Sequence, residues 1–419
     1  VFESIEELFM TFESTAMQTT DVDTPLDMQS SSAVLQEVID NLREDIIQHF
    51  ETLKLPALNG KSSNGVMTKD AIRACHAYQR NEIFQREYKV LKPSIKNLMR
   101  YFANGDEVNP ATIDPELVPV NSKNETGRLF RFACLLWSVP VSQGYGRRIR
   151  FLVKDRSNGK LIGIFALGDP VFNLKCRDEM IGWNADDRRN RLVNVMDAYV
   201  VGSVPPYNQL LGGKLVASLM CSQEVNTFFT ERYKDATGII SKKQKSPRLV
   251  LITVTSALGR SSLYNRLKLV QDGNTLLNFK KIGETRGFGH FQISNELFER
   301  LRALLALEGH SYANGHQFGD GPNWRMRVTR VGLKILGLDD ELVHHGINRE
   351  VYASPLADNF KEYLRGEVKH PMLELYPAQE ICKAAIQRWI LPRASSNIGW
   401  KGFRKELMMK QSPNEAIPD

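Results

Sequence analysis

A chain of 419 residues with 42% hydrophobic and 25% charged residues is long enough for two domains and has the composition of a globular protein rather than a disordered one. Its longest apolar runs, such as "LVLITVTSAL", fall short of a membrane span, and the acidic "VFESIEELFM" start lacks the basic region of a secretory signal. The net charge of +7 is unevenly placed: residues 1–50 hold eleven Asp/Glu and one Arg, a net of −10, which leaves +17 on the remaining 369. Such polarity suits a basic body for nucleic acid with an acidic arm that covers it or docks a protein, or simply a solvated acidic helix. Five scattered cysteines, none in a C-x-x-C pair, suit reduced thiols and a cytoplasmic location better than disulfides or zinc ligands.

In chain order, Leu35, Val38, Ile39, Leu42, Ile46, Phe50 and Leu53 recur at helical spacing, with Ser31 or Ser32 as the cap. A loop, "NGKSSNG", and a second helical run capped by Thr68 follow. The polar, turn-rich stretch 102–127 marks a domain boundary. Beyond it, "RRIRFLVKD", "RSNGK" and "LIGIFALGD" read as strand, turn and strand. "RLVNVMDAYVVGS" leads through a strand to a helix opened by Gly212 and Gly213. "RLVLITVTSA" is a further strand, Ser261–Leu267 a short helix, and "FKKIGETRGFGHFQI" another strand. From Glu296 onward the chain reads as helices. The expected organisation is α/β (α+β): a helical region over 1–105, acidic in 1–50, a mixed-sheet core over 128–295 and a basic helical region over 296–419.

Several familiar motifs are absent. "GKS" at Gly60–Ser62 lacks the glycine a Walker loop needs five positions earlier, no G-x-G-x-x-G follows a strand, and "GRSSL" has Leu263 where a nucleophile elbow needs glycine. His310, His316 and Asp320 lack metal-site spacing, so no metal is expected, and no cofactor is assigned.

Three runs contain no acid. Ser241–Val270 carries Lys242, Lys243, Lys245, Arg260 and Arg266; Pro322–Leu338 carries Arg325 and Arg327 beside Trp324; Lys383–Lys405 carries Arg388, Lys401 and Arg404 among Trp389 and Trp400. Arg147, Arg148 and Arg286 extend the basic set. Cations interleaved with aromatic rings suit a phosphate backbone with base stacking. The alternative is that the arginines pair internally and the tryptophans lie in the core.

Gly212 and Gly213 pose a sharper question, because each glycine costs a helix about 1 kcal/mol relative to alanine. They either bring backbone N–H groups to an anion or let the helix pack closely on a neighbour. Gln209-Leu210-Leu211-Gly212-Gly213-Lys214 resembles the Q/R-x-x-G-x-G/A turn of GNAT acyltransferases, with Lys214 where Gly or Ala is expected. That resemblance implies a GNAT-like core, a pyrophosphate site, Tyr264 as proton donor, and Asp197 or Glu284 as base. Arg260, Ser261 and Ser262, just after a strand, would join the glycines around one anion pocket.

A second resemblance covers residues 146–291. "GRRIRFLVKDRSNGKLIGIFALGDPVF", "CRDEMIGWNADDRRNRL", "PPYNQLLGGKLVASLM", "GRSSLYNRL" and "GETRGFGHF" together look like the DruA family of Druantia anti-phage systems. Gly287-Phe288-Gly289-His290 stands where many shorter relatives end in G-R-G-R. The resemblance implies a bacterial defence subunit that works beside a large helicase-like protein. The function expected is therefore DNA or nucleotide-end binding within a complex; the alternative is a GNAT-like enzyme acting at Gly212 and Tyr264.

Overall fold

The computed structural model describes residues 25–59, 67–141, 146–237, 247–285, 287, 293–315 and 323–410. The chain divides into two units, residues 1–64 with 287–346 and residues 65–286 with 347–419. This differs from the expected division. The supposed C-terminal region of 296–419 contributes its first part to the unit of the acidic helix and its remainder to the sheet.

The first unit is helical. Its N-terminal helix spans Pro25–Asn59, starting ahead of the expected Ser31 or Ser32 cap. Leu42, Ile46 and Phe50, at i, i+4 and i+8, share a core with Leu297, Leu301 and Leu305 of the helix Asn295–Leu307 and with Val328 and Leu333 of the helix Trp324–Ile335. The latter two helices approach closely, since a Cβ built on Gly332 would lie 2.6 Å from Leu301 Cδ2. Side-chain caps start both: Ser294 Oγ accepts from Leu297 N at 3.1 Å and Asn323 Oδ1 from Met326 N at 2.9 Å. Asp45 pairs with Arg300 at 2.7 Å, so residues 42–50 of the acidic helix form a packed element rather than a free solvated arm.

The second unit is built on a seven-stranded sheet. Its strands are β1 (Pro115–Pro119), β2 (Arg148–Asp155), β3 (Lys160–Gly168), β4 (Val195–Ser203), β5 (Leu251–Thr255), β8 (Lys280–Glu284) and β9 (Glu350–Pro355), in the order β1-β2-β3-β4-β5-β9-β8. A separate hairpin joins β6 (Lys268–Gln271) to β7 (Asn274–Asn278). Every pairing in the large sheet is antiparallel except β4 with β5. The fold is thus α+β with a central mixed sheet flanked by helices. The turn-rich stretch expected to form a boundary contains β1, an edge strand whose Pro115 and Pro119 suit a position that need not donate to a second neighbour. Strand β9 has no counterpart in the sequence reading, and Ser261–Leu267 is a turn rather than a helix.

Both faces of the sheet are covered. Ile149, Phe151 and Val153 of β2 point into one core beneath the helices Gly212–Leu219 and Gln223–Tyr233, while Leu152 points into the other beneath the helix Glu125–Cys134. This explains why β3, buried along eight of its nine residues, reads as a continuous apolar run. Among the described residues, no helix is long and apolar enough to cross a membrane.

The β2–β3 turn holds the approach to the glycine helix. Asp155 is fully buried and accepts from Asp114 N at 3.0 Å, Ser157 N at 3.0 Å, Ser157 Oγ at 2.7 Å and Tyr207 Oη at 2.9 Å. Removing that carboxylate leaves several donors unpaired, each costing about 1–3 kcal/mol. Asp155→Ala is expected to lower the melting temperature sharply; an unchanged melting curve would show that this junction contributes nothing.

Candidate nucleic-acid interface

Strand β4 delivers the chain to Tyr207–Leu210, and Leu211, at φ +62°, turns it into the helix Gly212–Leu219. The two glycines play different parts. A Cβ on Gly212 would lie 2.7 Å from the Tyr207 carbonyl oxygen, so close packing requires this glycine. A Cβ on Gly213 would meet Ser203 Oγ at 3.6 Å and Leu263 Cδ1 at 3.7 Å, ordinary packing distances. Gln209 lends its carbonyl to Arg393 Nε at 3.3 Å.

Lys214 turns away from carboxylates altogether. Its ammonium lies 5.2 Å from the Trp389 ring centroid and donates to the Arg266 carbonyl at 3.4 Å. Partial burial, with Arg266 and Arg388 nearby, holds its pKa below the usual lysine value. None of Lys214, Arg266 and Arg388 forms an ion pair among the described residues.

Arg266 also lines a groove of about 840 Å³, with Arg260, Lys280 and Lys281. The groove lies between the turn after β5, the β7–β8 junction and β9. The carboxylate in its lining, Glu350, is already engaged: it accepts from Lys281 Nζ at 3.0 Å, from Ser261 N at 3.2 Å and from the Tyr352 hydroxyl. Asn265, Asn278, Phe279 and Tyr352 complete the lining. Sequence reasoning on the "GRSSLYNRLK" segment reached Arg260, Asn265 and Arg266 but missed Lys280, Lys281, Asn278, Glu350 and Tyr352. The groove depends on β9, which returns to the sheet far along the chain from β8, and nothing local to "EVYASP" places it there.

The Arg-Ser-Ser turn has a largely structural role at its centre. Ser261 is buried, and its Oγ accepts from Leu263 N at 3.1 Å and Tyr264 N at 3.0 Å. Ser262 is exposed. Tyr264 is buried against Phe279 and Tyr352, with centroids 6.1 and 5.7 Å away, and burial followed by the Asp197 charge raises its pKa. Asp197 sits at the last paired position of β4 and β5 and accepts from Thr253 Oγ1 at 2.7 Å. Burial pushes its carboxyl up to about 6, against the lowering effects of Thr253 and Arg177. Glu284, by contrast, is exposed and paired to Lys281 at 2.7 Å.

The remaining basic candidates vary in how far their own fold occupies them. Arg147 pairs with Asp169 at 2.7 Å and donates to the Val193 carbonyl, while Arg148 lies 4.2 Å from the Tyr199 ring centroid. Arg325 donates to Asn295 Oδ1 and to the carbonyls of Ile293 and Ser294, and lies 4.2 Å from the Phe298 centroid. Trp324 Nε1 donates to the Tyr312 carbonyl at 2.8 Å, and Arg327 lies over the Tyr312 ring. Trp400 is buried, Lys401 lies over its ring, and Arg404 faces Asp106 at 3.4 Å. Lys242, Lys243, Lys245 and Arg286 lie outside the described residues, as do His316 and Asp320. Among the described residues, no three His, Cys, Asp or Glu side chains gather as a metal site.

The family model for "Druantia protein DruA" matches residues 66–366, a span that takes in all seven strands of the large sheet. The chain belongs to the DruA family. A Druantia protein DruA from Escherichia coli (strain UMEA 4076-1) is 48% identical over 382 residues, covering 90% of this chain and 93% of that protein. No solved structure matches.

Two outcomes check this geometry. Gly212→Ala should lower the melting temperature, since overpacking costs about 1–3 kcal/mol, whereas Gly213→Ala should leave it level or raise it through helix propensity. Equal effects of the two would contradict the packing described. Asp197, with its folded pKa raised, disfavours the fold increasingly as pH rises from about 4 to about 6, the interval in which the unfolded chain ionises first. The melting temperature of Asp197→Asn relative to the parent should therefore climb across that interval and level off above it. A difference independent of pH would place Asp197 in water.

Proposed function

We propose that this DruA-family chain serves bacterial anti-phage defence by binding DNA along the groove edged by Arg260, Arg266 and Lys280, with Lys214 and Arg388 extending the cationic surface. The observation that carries this reading is charge without compensation: none of these five residues forms an ion pair among the described residues. Cations that no acid holds in an ion pair attract polyanions, and a phosphate backbone releases its counterions on meeting them. Family membership and the Druantia name of the relative support the defence role. They also support work in a cytoplasmic complex with other Druantia proteins, including the helicase-like component implied by the resemblance.

A second reading, an enzyme, is favoured by one observation. Burial raises both Asp197, to about 6, and Tyr264, whose phenol the Asp197 charge raises further, and groups shifted in this way are candidates for acid–base chemistry. Acyl transfer is one such reaction and nucleic-acid modification another.

Salt-dependent DNA binding tests the first reading, with phage protection measured in parallel. Arg260, Arg266 and Lys280 changed together to alanine should weaken DNA binding at least tenfold and flatten the salt slope by roughly 2–3, at about 0.9 for each phosphate the protein no longer neutralises. Unchanged affinity would remove the groove from the interface. Tyr264→Phe separates the readings: intact DNA binding without protection would favour chemistry, and intact protection would favour binding alone.

A further inference from the structure

We infer that Arg191, Arg248 and Tyr363 hold a phosphate group at the end of β5 opposite the groove. The inference stands apart from the reading of the groove, whose residues it does not use.

Topology brings the three residues together. The helix Ala185–Arg191 leads into the start of β4, and residues 247–250 lead into the start of β5. β9 runs antiparallel to β5 and passes into the helix Phe360–Arg365. Because β4 and β5 are parallel, all three segments meet at one end of the sheet, while Arg260 follows the other end of β5.

Asn194 then fixes the two arginines side by side. Its buried amide donates to the Arg191 carbonyl at 3.1 Å and accepts from Arg248 N at 2.8 Å. The Arg191 guanidinium packs directly on Gly366, three residues beyond Tyr363, where an added Cβ would collide with Nη2. The charges of Arg248 and Arg191 both act on the Tyr363 phenol, against the raising effect of burial, so its hydroxyl lies within range of both.

Two like charges held together by a buried amide repel each other, and an anion between them turns that cost into attraction. The acids on these segments do not serve. Asp186 pairs with Arg189 at 3.2 Å, and Asp187 accepts from Asn184 N at 3.2 Å. Glu362 and Glu367 face Arg365 at 3.8 and 2.7 Å. The Arg191 and Arg248 side chains form no ion pair or hydrogen bond among the described residues, and the Nε of Arg191 is buried without a partner. Arg248 is exposed, and Arg191 and Tyr363 are partly exposed, so a ligand can reach them. Guanidinium groups dock on phosphate oxygens through paired N–H donors, and the phenol adds one more donor.

The first arm of the test uses the full chain with Arg260, Arg266 and Lys280 changed to alanine, which silences the groove. Inorganic phosphate and dAMP are titrated into it by calorimetry. Arg248→Gln, on an exposed side chain that the fold does not need, should weaken binding about tenfold, as should Arg191→Gln. The second arm keeps the groove intact and titrates a fluorescent 15-base-pair DNA with and without 5′-phosphates. Loss on Arg248→Gln confined to the phosphorylated DNA would identify a DNA end as the source of the phosphate. Equal loss for both DNAs would identify the backbone, and loss for dAMP alone a free nucleotide; each of these supports the site. Binding of every probe unchanged by both Arg248→Gln and Arg191→Gln would overturn the inference. DNA affinity unchanged by the triple alanine variant would count against the groove and leave this site standing.

Discussion

Three residues of parallel pairing organise the sheet unit. β4 and β5 are joined only through Val195–Leu251, Met196–Ile252 and Asp197–Thr253, although β4 continues to Ser203 and β5 to Thr255. A parallel join cannot be closed by a hairpin, so the chain between them must cross over the sheet. That crossover supplies the helices Gly212–Leu219 and Gln223–Tyr233, which cover one face. It also brings β5 out beside the glycine turn, so that the segment Arg260–Arg266 emerges where β8 and β9 complete the groove wall. The position of Asp197 follows from the same join, at its last paired step.

Much of this is legible in the sequence, and the reasons for the rest are physical. The β2–β3 hairpin shows itself through two apolar runs around "RSNGK", because Gly159 takes φ +73° where a tight turn needs it. Thr68, a cap by sequence, accepts from Ala71 N. Strand β9 is not legible, since short apolar runs do not declare which distant edge they join. The grouping of residues 287–346 with the N-terminal helix is hidden for a related reason. The helical insertion between β8 and β9 shares a core with the N-terminal helix, and beside that core Asp45 pairs with Arg300, 255 positions further on.

The basic runs teach a different lesson. Freedom from acid within a run does not leave its arginines unpaired, because carbonyls and rings also satisfy a guanidinium. Arg325 directs its donors to the carbonyls of Ile293 and Ser294, and Arg147 finds Asp169 across a strand pair. Trp324 and Trp400 pack inside their own units, in line with the alternative that tryptophans in these runs are core residues. What distinguishes Lys214, Arg266 and Arg388 is visible only in three dimensions: an indole and a carbonyl steady Lys214, yet no acid offsets the cluster. The paired glycines resolve likewise, with Gly212 fixed by the Tyr207 carbonyl and Gly213 left room.

The central claim is spatial, that DNA meets the protein along the groove rather than along the helical unit. Photocrosslinking of bromouracil-substituted DNA to the full chain, followed by peptide mapping, addresses it directly. Crosslinks should fall within residues 260–281 and near Tyr352. Crosslinks confined to residues 323–335, with none around the groove, would contradict the account.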